Sequence, residues 1–504
     1  MTEYRFRITP GIVPQPLLEK AYFASWGRSP RPSQVHFDGN ELLIRSEIKG
    51  SGTIHIPWPH KKLGITIEST DSLLGREQPY LLLKELARGA LGRLLRKIFD
   101  WQLLGFRQSQ ELKSRITTAS RRFSKAVVSD DTESELEREF VSLIEEFMQI
   151  AVDATGAFTD QAIAWRRRVD DKLPVLFGVG LNRHSFDTLY EFDLYAHFLK
   201  KAFHSVMPMP TWREMEPEQG VFCWERLEQR LADTARFGFR SVMGPLICFD
   251  TSTFPSWLLS GLSENGYFES QATRFVNAVT ERYGAQAHSW ILASRLNSFS
   301  IPEITQSQGV MLTRILAQQI RSRGIETPVL VGIDQPWGEY ALKRVPELDQ
   351  VQIAESLIGC HEIDSFLLEI NFGFDTRSTF PRDPMAVSSM IDQWSFLGKK
   401  VYISLSIPSA TDDDFREIER AVAPEFQWSE GLQQYWTEVL LRTILGKRTV
   451  GGVFWTPLQD PLDNPEDTKS LDPSMPPFGG LIDSQRVLKL AFKQFESIRG
   501  SLLK

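Results

Sequence analysis

The chain has 504 residues, too many for one hydrophobic core, so we expect two or three domains. The composition, 42% hydrophobic and 24% charged, is typical of a globular protein. The formal net charge of −7 argues against a general nucleic-acid or anionic-membrane binder, because either would need a basic surface, although a local basic patch would escape this argument.

Cysteine and histidine usage limits the kinds of site that the chain can carry. Cys223, Cys248 and Cys360 are widely spaced and form no CxxC pair, which is typical of free thiols in a reducing compartment. The chain start lacks the basic-then-apolar order of a signal peptide, and no run approaches about 18 consecutive apolar residues. We therefore expect a cytoplasmic protein with no membrane or nucleic-acid partner. The histidines show no metal-binding spacing, so we predict no metal and no cofactor.

Residues 1–80 alternate between apolar and polar positions, with turn residues between the runs. Such runs cover 4–8, 42–45, 53–58 and 63–67. Short strands at this spacing predict a β-rich N-terminal domain, either a small antiparallel sheet or a sandwich. If this domain is a carbohydrate-binding module, Trp58 or Trp26 would be the platform on which a sugar ring stacks.

Residues 81–172 follow the helical period instead and form a segment that we expect to pack on the sheet or the barrel. Seven apolar residues between Leu82 and Ile98 have this spacing, with Arg88, Arg93, Arg96 and Lys97 between them. Because acidic residues balance the whole segment, these cations predict a solvated helix face rather than a phosphate or nucleic-acid patch. Asp131 or Thr132 with Glu135 predicts a helix start, and an amphipathic helix over 136–152 follows. The three arginines at 166–168 are expected to face solvent.

From residue 173 to 504, apolar runs alternate with amphipathic helices. The candidate strands are 174–180, 203–207, 240–246, 289–293, 328–332, 365–370, 400–404 and 450–455. Apolar runs without internal alternation are buried on both faces, as in a parallel sheet, so eight βα units predict a closed (β/α)₈ barrel. The alternative is an open doubly wound sheet, for which the turn at 178–182 is only a weak version of the Gly-rich signature.

Three segments of this region resemble a known family. Residues 207–224 contain Trp212 and the pattern EPxxGxFxW from Glu216, and residues 243–258 contain PxWL from Pro255. Residues 452–492 contain Trp455 and the pattern GLxD from Gly480. In this order, over the C-terminal two-thirds of the chain, the motifs resemble glycoside hydrolase family 10, the xylanase family. The resemblance implies a β-linked oligosaccharide or polysaccharide as the ligand.

The family's catalytic carboxylates are not matched. Retaining hydrolysis needs two carboxylates about 5–5.5 Å apart, and the family places them at the ends of strands 4 and 7. Here strand 4 ends in Ser294-Arg295, and strand 7 contains Ser404-Leu405-Ser406 without a glutamate. An arginine cannot donate a proton at neutral pH, and a serine nucleophile needs an activating base. The family's reaction is therefore not expected to transfer.

The strand C-termini of such a barrel carry the active site, and here they offer a ring of polar and aromatic residues. The residues that we predict to bind substrate are Trp212, Arg213, Asp250, Arg295, Asn297, Trp337, Asn371, Trp455 and Asp460.

Glu369 is the first catalytic candidate. It lies within the apolar run 366–370, where a carboxylate must be paired or have a raised pKa. A raised pKa would suit a general acid. The alternatives are a buried ion pair with Arg295, or a ligand contact, because Glu369 aligns with the family's strand 6 glutamine.

Asp334 and Glu339 are the other catalytic candidates. They flank Trp337, and an aromatic ring between two carboxylates would suit a sugar subsite. The alternative is a turn in which Asp334 caps a helix and Trp337 packs on the barrel. The acidic run at 412–414 predicts a helix start rather than a cation site.

Three functions remain open at this point. The chain is a divergent glycoside hydrolase with relocated carboxylates, a non-catalytic carbohydrate-binding or regulatory pseudoenzyme, or a scaffold whose barrel mouth is filled and whose acids are all paired with arginines. Hydrolysis fails if no two strand-end carboxylates lie within about 10 Å and face an open cleft. The oligomeric state is left open.

Overall fold

The computed structural model describes residues 2–25, 29–181, 189–208, 210–299, 301–374, 377–410, 420–461 and 478–503. Trp26 and the acidic run at 412–414 fall outside these ranges.

Two small sheets form the N-terminal part of the chain. The elements are β1 (Thr2–Arg7), α1 (Gln15–Glu19), β2 (Tyr22–Ser25), β3 (Pro30–Arg31), β4 (Ser33–Phe37), β5 (Glu41–Ser46), β6 (Ser51–His60), β7 (Gly64–Ser69), β8 (Leu73–Leu74) and β9 (Tyr80–Leu81). One sheet has the order β4-β5-β1-β9, and the other has the order β3-β2-β6-β7 with β8 paired to β6. The sheets contact each other where Tyr4 stacks on Phe23, with ring centroids 5.1 Å apart.

Three long helices follow: α2 (Leu82–Leu103), α3 (Gln110–Val127) and α4 (Glu133–Arg167). The start of α4 is the capping box expected from sequence, in which the Thr132 N–H donates to Glu135 Oε2 at 3.1 Å. Trp101 of α2 stacks on Phe158 of α4 at 4.5 Å between ring centroids. The expectation that Arg166 faces solvent is wrong, because its guanidinium donates to the carbonyls of Leu445 and Lys447 at 2.6 and 2.7 Å.

A closed parallel barrel forms the C-terminal part. Its strands are β10 (Leu176–Gly180), β11 (Ser205–Met207), β12 (Arg240–Met243), β14 (Ala287–Ser294), β15 (Val329–Asp334), β16 (Ser365–Asn371), β17 (Lys400–Ser406) and β18 (Val450–Trp455), with β13 (Ile247–Cys248) as an extension beside β14. The order is β12-β11-β10-β18-β17-β16-β15-β14, and β12 also pairs with β14. This last pairing closes the barrel, so the predicted (β/α)₈ fold is confirmed and the open sheet is excluded.

Helices surround the barrel and cover the outer face of its strands. They are α5 (Leu189–Ala202), α6 (Trp212–Met215), α7 (Glu225–Arg236), α8 (Ser256–Ser260), α9 (Tyr267–Tyr283), α10 (Gln306–Ser322), α11 (Gln350–Ile358), α12 (Pro384–Ser395), α13 (Glu430–Leu445) and α14 (Phe492–Leu502). Because both faces of each strand are covered, the strand sequences are continuously apolar.

The barrel interior is a packed core below the strand C-termini. Val242, Ile291, Leu330, Leu367 and Phe454 form one buried cluster there, separate from the larger core outside the strands. Residues paired across parallel strands point to the same side of the sheet. Side chains also alternate along a strand, so a residue two positions after a cluster member on the same strand points to the same side, into the barrel mouth.

The N-terminal sheets pack directly on the barrel. The indole N–H of Trp436 on α13 donates to Leu63 O at 2.9 Å, and the Ile67 N–H of β7 donates to Pro381 O at 2.8 Å. Over the described ranges, no helix has the length and apolar character required to cross a bilayer.

Candidate functional site

Four polar side chains lie just above the interior cluster, and we call Ser294, Glu369, Ser404 and Thr456 the mouth layer. Glu369 comes two residues after Leu367 and is paired in register with Ser404 on β17. Ser404 Oγ donates to Thr456 Oγ1 at 3.4 Å, and Ser294 Oγ donates to Glu369 Oε1 at 2.5 Å. The layer thus combines three hydroxyl groups with one carboxylate.

The position of Glu369 depends on a glycine on the neighbouring strand. A Cβ atom at Gly332 would lie 2.3 Å from Glu369 Oε1, so any other residue there would force the carboxylate to shift from this position. The side chains of Glu369 and Asn371 are both half-buried, whereas Leu367 below them is buried. Both polar side chains therefore keep contact with solvent at the mouth.

Arg295 and Asp250 form a buried ion pair beside this layer. Arg295 Nη1 donates to Asp250 Oδ2 at 2.8 Å, and the two side chains are 6% and 12% exposed. Burial by itself would raise the pKa of Asp250, but hydrogen bonds from Ser252 and the charge of Arg295 outweigh burial and hold this pKa below its ordinary value. Both groups are therefore charged near neutral pH.

Asn297 holds the peptide of Asp334 from two sides. Asn297 Nδ2 donates to Asp334 O at 2.6 Å, and Asn297 Oδ1 accepts from the Asp334 N–H at 3.0 Å. Ser298 Oγ donates to the Asp334 carboxylate at 2.9 Å, and Asp334 is only 2% exposed. Asp334 is paired in register with Glu369, so the two acids point to the same side of neighbouring strands.

Glu339 lies away from the mouth layer, at the boundary between the barrel and the N-terminal sheets. It forms a buried ion pair with Arg382, whose Nη2 also donates to the Tyr22 hydroxyl at 2.8 Å. The Arg382 guanidinium lies over the Trp337 ring, 4.6 Å from its centroid. Burial would lower the pKa of Arg382, but the charge of Glu339 outweighs it and raises this pKa. Glu339 and Trp337 are therefore part of the interdomain contact.

A cavity of about 380 Å³ lies at the same boundary, between β7, α2 and α12. Trp337, Arg382 and Asp383 line its barrel side, and Glu68 and Arg93 line the opposite side. Burial raises the pKa of Glu68, and nearby Asp383 adds to this effect while Arg93 opposes it. The cavity is thus bordered by ion pairs, and one of them, Lys97–Asp392, connects the two parts of the chain.

Two further predicted site residues, Trp212 and Trp455, are buried. Trp212 is 2% exposed, stacks on Phe275 at 4.5 Å and donates from Nε1 to Glu216 Oε2 at 2.9 Å. Trp455 is fully buried, and its Nε1 donates to Gly479 O at 2.8 Å. Neither ring presents a face to solvent, so neither can serve as a stacking platform, and a role of these residues in substrate binding stays a prediction.

Asp460 and Arg213 hold loops rather than face the mouth. Asp460 is 4% exposed, forms an ion pair with Lys489 and accepts from the Gly480 N–H at 2.7 Å. Burial raises the pKa of Asp460, against the opposing charge of Lys489. Arg213 is exposed, and its Nε donates to Phe254 O at 2.9 Å.

Ser294, Thr456 and Arg382 were not among the predicted site residues. Each hydroxyl residue follows a buried apolar run at a strand end, so their position was a usable signal. Arg382 had no local signal, because its partner Glu339 lies 43 residues earlier in the chain. Within the described residues, no three His, Cys, Asp or Glu side chains are grouped so that they could hold a metal ion.

Comparisons with known proteins extend these observations. No family model matches the sequence, and no curated protein matches it. Several solved structures are similar in fold. One is a psychrophilic glycoside hydrolase family 10 endo-β-1,4-xylanase, with 16% identity over 66% of this chain and 98% of that chain and a TM-score of 0.47.

Two others are also xylanases. The Thermotoga petrophila xylanase 10B in complex with xylobiose has 11% identity over 66% of this chain and 96% of that chain, with a TM-score of 0.49. The Clostridium stercorarium xylanase B has 15% identity over 66% of this chain and 98% of that chain, with a TM-score of 0.47. What this chain shares with them is the eight-stranded parallel barrel that its own strand pairing shows.

Proposed function

We propose that the barrel mouth binds a β-linked oligosaccharide and does not hydrolyse it. The observation that carries this proposal is the Arg295–Asp250 ion pair at the end of strand 4. A guanidinium stands where the resembled family has its proton donor, and its buried partner keeps it charged and in place. On strand 7, Ser404 supplies a hydroxyl that contacts Thr456 rather than a base.

The chemistry of the mouth layer supports a neutral ligand rich in hydroxyl groups. Glu369 accepts hydrogen bonds, and Ser294, Ser404 and Thr456 both donate and accept them. The half-buried amide of Asn371 adds a donor and an acceptor one step further out. The choice of carbohydrate within this class rests on the motif resemblance at 207–224, 243–258 and 452–492.

A relocated hydrolytic pair is the second candidate, and one observation favours it. Asp334 and Glu369 are register partners on adjacent strands, which lie about 4.8 Å apart in a sheet. That spacing is compatible with the carboxylate separation of about 5–5.5 Å in a retaining glycosidase. Against this, Asp334 is 2% exposed and its carboxylate accepts from Ser298, which leaves little access for a sugar.

A pure scaffold would have every acid at the mouth paired with a cation. Asp250, Glu339 and Asp460 have such partners in Arg295, Arg382 and Lys489. Glu369 accepts from the hydroxyl of Ser294 and is half-buried at the mouth. Its half-buried position directly above the interior cluster is what favours a ligand site there over a filled mouth.

Calorimetric titration of the full chain with β-1,4-linked xylo-oligosaccharides and cello-oligosaccharides tests the proposal. We expect saturable binding of one series and a roughly tenfold weaker affinity in Glu369→Gln, since a hydrogen bond to a charged group contributes about 1.5–3 kcal/mol. Glu355→Gln, an exposed position on α11, is the matched control and should bind like the wild type.

The outcomes separate the candidates. A folded protein that binds neither series contradicts the proposal and favours the scaffold. Release of shorter oligosaccharides that stops in both Glu369→Gln and Asp334→Asn would establish the relocated hydrolytic pair instead.

A further inference from the structure

Helix α2 carries an apolar stripe that is exposed to solvent in the described structure. Leu95, Phe99 and Leu103 are spaced by four residues, so they lie on one side of the helix, and Leu104 follows directly. Their exposed fractions are 44%, 59%, 72% and 65%. The opposite side of α2, with Leu94, Ile98 and Trp101, already packs into the core. The stripe is therefore additional to what the fold needs.

Phe396 extends this stripe from a neighbouring helix. Lys97 of α2 donates to Asp392 of α12 at 2.7 Å, which fixes the ends of these two helices side by side. Phe396 follows Asp392 by about one helical turn and is 88% exposed. Phe396 and Asp100 of α2 both line the cavity between β7, α2 and α12. We call Leu95, Phe99, Leu103, Leu104 and Phe396 the apolar ridge.

Helix α3, which follows α2 in the sequence, carries a stripe of cationic side chains. Lys113, Arg121 and Lys125 are separated by eight and four residues, so they share one side of the helix, and all three are exposed. Arg107 is exposed in the connection between the two helices. Within the described part of the chain, none of these four cations has an acidic partner at salt-bridge distance.

The charge of this hairpin is opposite to that of the whole chain. Residues 84–125 contain eleven Lys and Arg but only three Asp and Glu, whereas the complete chain has a net charge of −7. The acidic residues that balance the helical segment lie mainly on α4, where Asp153, Glu139 and Glu146 pair with Arg115 and Arg122. The stripe on α3 is therefore a local basic surface that net charge alone conceals.

We propose that the α2–α3 hairpin docks the protein onto an anionic lipid surface. Cations attract acidic headgroups, and single apolar side chains that stand out from a helix insert at the boundary between headgroups and acyl chains. A protein partner would need a surface complementary in shape to the apolar ridge, whose side chains stand apart on the ends of α2 and α12. A lipid surface needs no such fitted shape. The net charge of −7 led us to expect no membrane partner. That argument concerns the average surface of the protein, and this hairpin departs from the average.

Sedimentation with lipid vesicles tests this inference. The wild type should bind vesicles of phosphatidylcholine mixed with phosphatidylserine, bind pure phosphatidylcholine much more weakly, and be released as salt increases. The double variant Phe99→Ser/Leu103→Ser should bind roughly tenfold more weakly or worse, because these side chains supply the apolar contact. Lys113→Glu/Arg121→Glu should lose the preference for phosphatidylserine.

Val221→Ser is the matched control, because Val221 is 52% exposed but lies on the barrel, and it should bind like the wild type. All variants replace exposed side chains, so an unchanged thermal transition confirms that they fold. The inference is overturned if the wild type does not sediment with either kind of vesicle at low salt. It is equally overturned if the ridge variant binds as tightly as Val221→Ser. Neither result bears on oligosaccharide binding at the barrel mouth.

Discussion

Arg295 combines an unusual backbone conformation with a buried charge. Its φ angle of 59° lies in the left-handed region that non-glycine residues seldom adopt, and its guanidinium pairs with Asp250. Such a conformation persists only where surrounding contacts hold it, and here the ion pair is one of them. The residue on which the proposed function rests is thus also one that the mouth depends on structurally.

Replacing Arg295 by methionine should therefore destabilise the protein strongly. The Asp250 carboxylate would remain buried without its cation, which costs about 3–5 kcal/mol. Denaturant unfolding measures the change. Adding Asp250→Asn to the same chain should restore much of the loss, because no uncompensated charge is left. Equal stability of the single variant and the wild type would show that the pair contributes nothing.

Asp250 also makes stability depend on pH. Its folded-state pKa lies below the unfolded-state value of about 3.9. Its contribution is therefore present above pH 4 or so, and is lost as the pH falls through the folded-state pKa. We expect the stability difference between wild type and Asp250→Asn to shrink during acid titration below about pH 4. A difference that stays constant down to the acid transition would contradict this assignment.

At the scale of elements, sequence pattern predicts most of the barrel. All eight predicted barrel strands overlap observed ones, because strands covered on both faces must be continuously apolar. The site was less predictable. Trp212 and Trp455 lie in the motifs that resemble the family, yet packing against α9 and α14 buries their rings, which the local sequence does not indicate. Glu339 pairs with Arg382 through tertiary structure, which no local pattern encodes.

The ends of α2 and α12 meet at a buried charge cluster. Lys97 and Lys447 both donate to Asp392, at 2.7 and 2.8 Å. Burial lowers the pKa of Lys447 to about 8, with Lys97 adding to the shift and Asp392 opposing it. The unfolded chain therefore binds more protons than the folded one between about pH 8 and 10.5, so this group makes stability rise with pH there.

Lys447→Met tests that linkage. Relative to this variant, the wild type should gain roughly 2 kcal/mol of unfolding free energy as the pH rises from 8 toward 10.5, as its buried ammonium is deprotonated. Comparing the two proteins cancels the titration of tyrosines elsewhere. A difference that does not change with pH, or that falls, would be inconsistent with a lowered pKa at Lys447.

At the scale of the whole molecule, Arg382 connects the N-terminal sheets to the barrel. It contacts Glu339, Tyr22 and the Trp337 ring at one point of the interdomain boundary. Arg382→Met should cost about 3–5 kcal/mol in denaturant unfolding, because it leaves the buried Glu339 carboxylate without a partner. Arg344→Met, an exposed position nearby in the chain, should change stability by less than about 0.5 kcal/mol. A similar loss of unfolding free energy in both variants would mean that the contacts of Arg382 do not stabilise the boundary.

The chain therefore combines a closed (β/α)₈ barrel with a mouth at which strand 4 is followed by an arginine. The claim that this mouth binds without hydrolysis is tested most directly by mass spectrometry of the oligosaccharide that the protein binds best, after long incubation with the wild type. We predict saturable binding with the oligosaccharide recovered at full length. Accumulation of shorter products, abolished in Glu369→Gln but not in Glu355→Gln, would contradict the account.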